Sequence, residues 1–219
     1  MEFRVISTEN LRDISELVLD DLKRPKVLPA SFYRRITVDE RAAFCVRNAI
    51  YGLPTSELVQ WLRETIGDRS AIEIGAGNGA LAEALGITAT DSRMQEDPAV
   101  QAHYRLMRQA SINYGANVER LDAADAVRKY RPNVVVASWV THMFNPDREE
   151  AGGNQMGVVE EDIIANCKTY IFIGNAHVHR HKSIWALPHS KLTPDWLYSR
   201  AFNGSPDFIA VWGEFTPLA

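Results

Sequence analysis

A glycine-rich turn between a strand-like run and a helix-like run constrains this chain more than any other feature. The run Ala71–Ile74 is apolar and β-prone except for Glu73, and glycines follow at alternate positions, Gly75, Gly77 and Gly79. Glycine permits a sharp backbone turn and lets a ligand approach the main chain where a Cβ would clash. The helix-forming run after the last glycine offers unpaired N–H groups at its start, which favour an electron-rich ligand. The segment predicts a ligand-binding strand–turn–helix unit.

A second acid, Asp91, stands twelve residues after Gly79 at the end of a short β-prone run. An acid at the tip of the second strand of a βαβ unit can accept hydrogen bonds from two ribose hydroxyls. A dinucleotide fingerprint would read G-x-G-x-x-G, and an acid before its first glycine would repel the pyrophosphate but attract an ammonium. The pattern therefore favours another nucleoside cofactor over a dinucleotide. The structural alternative is a βα turn that carries glycines for its own backbone.

The pattern E-x-G-x-G-x-G resembles the first motif of the class I S-adenosylmethionine (SAM)-dependent methyltransferases, and it does so together with Asp91. The resemblance implies a Rossmann-like fold, SAM as the cofactor and methyl transfer as the activity. It implies that the glycine loop lies against the methionine part of SAM and that Asp91 holds the ribose. It covers residues 70–175 well and the remainder in general layout. The residues predicted to bind the cofactor are Glu73, Gly75, Ala76, Gly77, Gly79, Asp91, Ser92, Asp122, Ala123, Ser138 and Trp139.

Asp122 follows the third predicted strand, where an acid in this family often hydrogen-bonds the adenine amino group. The alternative is a helix N-cap, since Asp122 also precedes a short helix. The fourth strand, Val134–Ala137, is a continuous apolar run, as expected of a strand buried on both faces. Residues that leave it face the ligand crevice. Among them His142 is the candidate proton acceptor, because its pKa lies close to working pH; the alternative is a capping or surface histidine.

Strands and helices alternate after residue 70, which predicts a mainly parallel sheet. The predicted fold is α/β, Rossmann-like and doubly wound, with about seven strands and an N-terminal helical layer. Residues 1–67 are predicted as a helical preface that covers the cofactor and shapes the substrate pocket, and residues 68–219 as the SAM-binding core of the same domain. More local predictions are helices over residues 8–24, Val100–Tyr114 and Trp196–Phe202, and an antiparallel strand from Ser183–Leu187 or Phe208–Phe215.

Three histidines, His177, His179 and His181, alternate after the fifth predicted strand. On an extended segment they would point the same way and could share a metal ion. The cluster holds no acid, and Arg180 and Lys182 add positive charge, so no metal site is predicted. The alternatives are a cationic rim that meets an anionic substrate and, by default, a solvated loop.

Composition bounds the acceptor and the location. The 219 residues carry a formal net charge of −4, so there is no broad basic surface of the kind that binds nucleic acid. A small-molecule acceptor is therefore favoured and a nucleic acid disfavoured. No apolar run approaches the roughly 20 residues that span a bilayer. With only Cys45 and Cys167, a reduced, cytoplasmic protein is the simplest interpretation.

The predicted function is methyl transfer from SAM by direct in-line displacement, which asks the protein mainly to hold donor and acceptor in line. One rival is a non-catalytic SAM-binding partner or regulatory protein, which would keep the glycine motif and Asp91 but lack a working base. Asn133, where many members of the family have an acid, keeps that rival open. A second rival is an NAD-type oxidoreductase, which needs its third glycine one position later. A smaller possibility is another use of SAM, such as its cleavage.

Overall fold

The computed structural model describes residues 11–215. The strands are β1 Gly52–Leu53, β2 Ala71–Ile74, β3 Thr88–Asp91, β4 Val118–Arg120, β5 Val134–Ser138, β6 Thr169–Asn175, β7 Ser190–Leu192, β8 Tyr198–Ser199 and β9 Asp207–Gly213. The α-helices are α1 Ser15–Val18, α2 Ala30–Tyr33, α3 Val38–Arg47, α4 Ser56–Ile66, α5 Ala80–Leu85, α6 Pro98–Leu106, α7 Ala123–Tyr130 and α8 Glu160–Ala165. Short 3₁₀ helices cover Met94–Glu96, Pro146–Ala151 and Ser183–Ala186.

Seven strands form one sheet in the order β4-β3-β2-β5-β6-β9-β7. Strands β2 to β6 run parallel, whereas β9 runs antiparallel to both β6 and β7. The chain moves outward from β2 to β4 and then crosses back to build the other half from β5. The strand order therefore reverses between β2 and β5, which is where ligands bind at the carboxyl ends of such sheets. The doubly wound, mainly parallel, Rossmann-like fold is confirmed.

Strand β5 shows why the centre of the sheet reads as an unbroken apolar run. Val135 and Ala137 pack with α7 and α8 on one face, and Val134 and Val136 pack with α4 and α5 on the other. All four side chains are fully buried. Helices on both faces thus remove the polar side that an exposed sheet would keep.

The N-terminal layer has its own apolar cluster and is tied to the C-terminal part of the chain. Helix α3 begins at a capping box in which Thr37 and Glu40 satisfy each other's backbone N–H groups. Strand β1 pairs antiparallel with β8, with Gly52 opposite Ser199. Tyr198 packs against this N-terminal cluster. The layer therefore packs against the core where the cavity described below opens.

The predicted N-terminal helix is much shorter than expected. Residues 8–10 lie outside the described residues, and within 11–24 the α-helix covers α1 alone. The chain turns instead, because the Asp20 carboxylate accepts hydrogen bonds from the backbone N–H groups of Leu22 and Arg24. An aspartate that bonds nearby backbone in this way competes with helix formation.

Two further local predictions are wrong, and a third, which named two alternatives, is confirmed for one of them. The helix predicted to reach Tyr114 ends at Leu106, and Arg108 follows with a left-handed φ of +53°. Trp196–Phe202 is not helical, since Trp196 lies in a turn and β8 pairs with β1. Ser183–Leu187 supplies a 3₁₀ turn and no strand, whereas the prediction that Phe208–Phe215 supplies an antiparallel strand is confirmed by β9.

Candidate functional site

A cavity of about 540 Å³ opens at the carboxyl ends of β2, β3, β5 and β6, a size typical of small-molecule sites. The glycine turn, the ends of β3 and β5, the N-terminal layer and residues 143–159 all contribute to its wall. Of the residues predicted to bind a cofactor, Gly79 alone does not line it. The structure therefore brings together side chains that lie up to 66 residues apart, from Glu73 to Trp139.

The three glycines of the turn differ in what their missing side chains permit. All three have left-handed φ angles, between +56° and +74°. A Cβ at Gly75 would lie 2.5 Å from Val140 Cγ1, and one at Gly79 would lie 2.6 Å from Val118 Cγ2. At Gly77 the nearest atom would be an Ile112 side-chain carbon at 3.7 Å, an ordinary contact. Gly79 thus serves packing, Gly75 serves packing and also lines the cavity, and Gly77 presents an open backbone to the cavity.

Asp91 holds the glycine turn from the next strand. Its Oδ2 accepts a hydrogen bond from Gly77 N at 2.9 Å, and its Oδ1 accepts one from Arg93 N at 2.7 Å. Burial raises the pKa of this carboxyl, against the two backbone hydrogen bonds and the nearby Arg93 guanidinium. A carboxylate has about four acceptor positions, so these two bonds leave capacity for ligand hydroxyls. Asp91 lines the cavity at the position that the βαβ geometry predicts.

Glu73 is more buried than Asp91 and forms a hydrogen bond with the backbone of α5. Its side chain is 2% exposed, and Oε2 accepts a hydrogen bond from Ala82 N at 2.9 Å inside the first turn of α5. Burial raises the pKa of this carboxyl to about 8. Burial therefore favours the neutral form of Glu73. The predicted attraction of an ammonium by this residue stays a prediction.

Asp122 combines a helix N-cap with a position in the cavity wall, and its predicted contact with adenine stays a prediction. It is the N-cap of α7, where its Oδ1 accepts a hydrogen bond from Asp125 N at 2.9 Å. It also lines the cavity, next to Ala123. Asp125 does not line the cavity and pairs with Arg128.

Trp139 turns the chain as it leaves β5. It has a left-handed φ of +60°, which is uncommon for a large side chain and is typical of residues that the surroundings hold in place at functional sites. Its backbone N–H donates to the Ile173 carbonyl at 2.9 Å, and its ring packs edge-on against His179 with centroids 5.1 Å apart. Ser138 and Trp139 both line the cavity.

His142 is not brought to the cavity. Its carbonyl accepts a hydrogen bond from Asn154 N at 3.0 Å, at the base of a loop that returns to His142 at Val158, where the two residues form an isolated β-bridge. Its Nε2 is buried and finds no hydrogen-bond partner within residues 11–215. Burial, and then the Lys182 charge, lower the pKa of its ring. A proton-acceptor role would require this loop to move.

The three alternating histidines do not share a face. Residues 176–181 form a turn, so the extended segment expected there is absent from the described chain. His179 is buried and its Nδ1 accepts a hydrogen bond from Asn175 N, while His177 and His181 are exposed. Burial and the Lys182 charge lower the pKa of His179 to about 3, so this ring is neutral and forms no cationic rim. No cluster of three His, Cys, Asp or Glu side chains in the described part of the chain is placed to hold a metal.

Several residues that line the cavity lie outside the glycine motif and outside the set predicted to bind the cofactor. Gln95 is buried, donates from Nε2 to the Tyr104 hydroxyl at 3.0 Å and accepts from Ile112 N at 2.8 Å. The Tyr51 and Tyr104 hydroxyls lie 3.4 Å apart. Asp207, the first residue of β9, also lines the cavity. These residues come from four separate segments, and only the folded chain makes them neighbours.

Within residues 11–215, no helix combines the length and the apolar character needed to cross a membrane. Neither a protein-family model nor a curated protein sequence matches the chain.

Comparison with solved structures finds several methyltransferases at low similarity. A precorrin-6y C5,15-methyltransferase from Geobacter metallireducens GS-15 is 12% identical, with a TM-score of 0.39 over 74% of this chain and 90% of that one. An rRNA methylase from Streptococcus thermophilus is 11% identical, with a TM-score of 0.40 over 72% and 94%. A Pyrococcus abyssi tRNA (uracil-54, C5)-methyltransferase in complex with S-adenosyl-L-homocysteine is 10% identical, with a TM-score of 0.39 over 71% and 37%.

Two of these three proteins are named for RNA substrates and the third for a precorrin. The order and directions of the strands in this chain's own sheet establish its Rossmann-like fold. The sheet is parallel except for β9, which lies between β6 and β7 and runs antiparallel to both. This is the architecture implied by the resemblance to class I SAM-dependent methyltransferases.

Proposed function

We propose that the protein binds SAM in the cavity at the switch point and transfers its methyl group to a small-molecule acceptor. The observation that carries this proposal is the hydrogen bond from Gly77 N to Asp91 Oδ2. It couples the open glycine backbone to the acid at the tip of the second strand. These are the two groups that a nucleoside cofactor would meet in a βαβ unit.

The position of each lining residue suggests which part of such a cofactor it would contact. The remaining acceptor positions of Asp91 suit the ribose hydroxyls, and the Gly75–Gly77 backbone suits the amino-acid part. Asp122 and Ala123, at the start of α7, suit the adenine. Bound SAM would supply an electrophilic methyl group, and the chain would act by holding the acceptor in line with it and by excluding water.

The wall of the cavity bears on the choice between catalysis and binding alone. Among the described residues, the lining includes no histidine, cysteine, lysine or arginine. Carboxylates and tyrosine hydroxyls are therefore the groups available to accept a proton. An acceptor that needs a strong base would therefore not react. The lack of a basic side chain in the described lining is the observation that favours the rival function, a non-catalytic SAM-binding protein.

Calorimetric titration separates these functions. We expect SAM and S-adenosylhomocysteine to bind with one site per chain and NAD not to bind. Binding of NAD in preference to SAM would replace the proposal with an oxidoreductase, and binding of none of the three would make the glycine turn structural. Tight binding of SAM without methyl transfer to any acceptor in a broad screen would favour the non-catalytic protein.

The predicted role of His142 has its own test. His142→Ala should leave SAM affinity unchanged, because the ring does not line the cavity. Methyl transfer would fall in this variant only if the loop from residue 142 to residue 158 carries the ring to the acceptor during turnover. Full activity would remove the proton-acceptor role.

A further inference from the structure

The charge of the cavity wall is one-sided. Five carboxyl groups line it, from Glu73, Asp91, Asp122, Asp162 and Asp207, and within residues 11–215 no basic side chain does. Two guanidinium groups stack on rings of the wall without lining the cavity themselves: Arg41, 5.2 Å from the Tyr198 ring centroid, and Arg200, 4.5 Å from that of Tyr51. The Arg41 charge also acts on the Asp207 carboxyl. An anionic ligand would enter against the charge of the wall.

The cofactor proposed above would use the glycine end of the cavity, which leaves Asp207 at the other end. Asp207 begins β9 opposite Asn175, the last residue of β6. Asn175 Nδ2 and Ser199 Oγ both donate to the same oxygen, Oδ1, at 2.9 and 3.0 Å. Within residues 11–215, both of these hydrogen bonds go to Oδ1 and neither goes to Oδ2. This oxygen is the atom of Asp207 left to meet a ligand.

Two aromatic rings line the same cavity and are linked to Asp207 through neighbouring residues. Ser199, which bonds Asp207, lies opposite Gly52 in the β1–β8 pair, and Tyr51 precedes that glycine. The Tyr51 and Trp139 ring centroids lie 6.1 Å apart. Trp139 is also joined to Asp207 through its contact with His179 and the hydrogen bonds of Asn175. Rings beside a carboxylate are the surroundings in which ammonium groups bind well.

We propose that the methyl acceptor is a small aromatic or aliphatic amine whose nitrogen binds at Asp207 beside the Trp139 and Tyr51 rings. The inference rests on the proposed function and names its substrate class. The ammonium form would be drawn in by the acidic wall. A free acid or a polyphosphate would enter next to carboxyl groups, and among residues 11–215 no basic side chain lines the cavity to pair with it.

The transfer balances with the groups on hand. The bound ammonium gives a proton to the Asp207 carboxylate, which frees the nitrogen lone pair. The nitrogen attacks the methyl carbon of SAM; the new N–C bond forms as the S–C bond breaks, and sulfur keeps the electron pair. The products are the protonated, N-methylated form of the acceptor amine and S-adenosylhomocysteine. Asp207 returns its proton to solvent.

The test uses matched probes on the protein loaded with S-adenosylhomocysteine. Phenethylamine, 3-phenylpropionate and 2-phenylethanol share one skeleton, and tryptamine with indole-3-propionate repeats the amine–acid pair on a larger ring. We expect ligand-observed NMR to show both amines binding at least ten-fold more tightly than their acids, and labelled SAM to transfer methyl groups to amines and not to transfer RNA. Equal binding of acids and amines, binding of neither class, or methylation of the RNA would overturn the inference.

Variants locate the effect and separate the two proposals. Asp207→Asn keeps an oxygen to accept from Asn175 and Ser199, so the wall should fold; we expect amine affinity to fall at least ten-fold and SAM affinity to change less than two-fold. Asp195→Asn, an exposed residue paired with Arg34, is the matched control and should change neither. Unchanged amine affinity in Asp207→Asn would overturn the inference alone. Failure of the wild-type protein to bind SAM would instead overturn the proposed function.

Discussion

At the scale of single residues, the two acids of the motif illustrate what a sequence can and cannot specify. The spacing from Glu73 to Asp91 predicts that both lie at the ligand end of adjacent strands, and both line the cavity. Their protonation is set by the folded surroundings, which the spacing does not contain. Glu73 is enclosed beneath α5 and has a pKa of about 8, whereas Asp91 receives two backbone hydrogen bonds and the Arg93 charge that oppose the effect of burial.

Asp91→Ala should weaken SAM binding by about 1–3 kcal/mol, because the ribose hydrogen bonds are lost and Gly77 N loses its partner. Calorimetry measures this change directly. Asp68→Ala removes an exposed aspartate in the turn before β2 and should leave the affinity within error. Equal affinities in the wild type and Asp91→Ala would remove Asp91 from the cofactor site.

Glu73 should make the protein less stable as pH rises. Its pKa is about 8 in the folded chain against 4.5 in the unfolded chain, so the folded state keeps its proton while the unfolded state ionises. The stabilisation is complete below pH 4.5 and is lost as pH rises toward 8, at up to about 1.4 kcal/mol per pH unit. Glu73→Gln cannot ionise and keeps an oxygen for Ala82 N. Urea unfolding from pH 5 to pH 8 should therefore show the variant gaining on the wild type.

The control for this titration is Glu64→Gln, an exposed glutamate of α4, whose stability should run parallel to the wild type across the same pH range. A constant difference between Glu73→Gln and the wild type would show that Glu73 ionises alike in the folded and unfolded states.

At the scale of elements, a segment is predictable when its hydrophobic pattern and the turn-forming residues at its ends indicate the same structure. Strand β2 has the predicted bounds, because an apolar run is followed at once by glycine, and β5 exceeds its prediction only by Ser138. The helix predicted up to Tyr114 failed for a tertiary reason. Its last residues line the cavity instead, where Gln95 bonds Ile112 N and Tyr114. A helical periodicity gives no warning of such partners from another segment.

The same limit applies to the extended stretch around β8, where Trp196–Phe202 has a helix-like composition. Its conformation depends on pairing with β1, which lies more than 140 residues earlier in the chain. The Asp207 end of the candidate site was missed for the same reason: its residues become neighbours through β1, β6, β8 and β9 together. The glycine end was predictable because one βαβ unit contains it.

The glycine turn offers a comparison between two glycines with similar backbones. Gly77 and Gly86 both have left-handed φ angles, +56° and +71°, and neither would bring a Cβ closer than 3.7 Å to another atom. Alanine at either position should therefore cost a similar amount of stability, about 1–2 kcal/mol. Gly77 lines the cavity and Gly86 does not. Gly77→Ala should lower SAM affinity at least ten-fold, and Gly86→Ala should leave it unchanged.

Thermal unfolding supplies the stability half of this comparison, and calorimetry supplies the affinity half. If both variants bind SAM like the wild type, the backbone of Gly77 does not approach the ligand. If both lose binding equally, the loss reflects a general destabilisation and not contact at the turn.

At the scale of the whole molecule, the cavity is a joint product of the N-terminal layer and the sheet. Tyr51, Leu53 and Pro54 line it from the layer, while Leu53 is also buried in that layer's apolar cluster. Arg24 pairs with Glu83 of α5, and β1 pairs with β8. The layer therefore shares its contacts with the core on both sides of the cavity. Its division from residues 68–219 stays a prediction about organisation, and unfolding can test it.

We expect the layer and the core to unfold in a single transition, and SAM to raise the midpoint of that whole transition. A ligand at 100 times its Kd stabilises the folded state by about 2.7 kcal/mol. For a chain of this length each kcal/mol moves the midpoint by roughly 2–4 °C, so a shift of about 5–10 °C should follow. Far-ultraviolet circular dichroism reports the sheet and helices. Tryptophan fluorescence reports all five tryptophans: Trp139 at the cavity, Trp185 and Trp212 in one core cluster, and Trp61 and Trp196 against another. Coincident curves with a common shift require one cooperative unit that closes around the ligand. Two separate transitions, with SAM moving only the later one, would mean that the N-terminal layer folds independently and does not help to hold the cofactor.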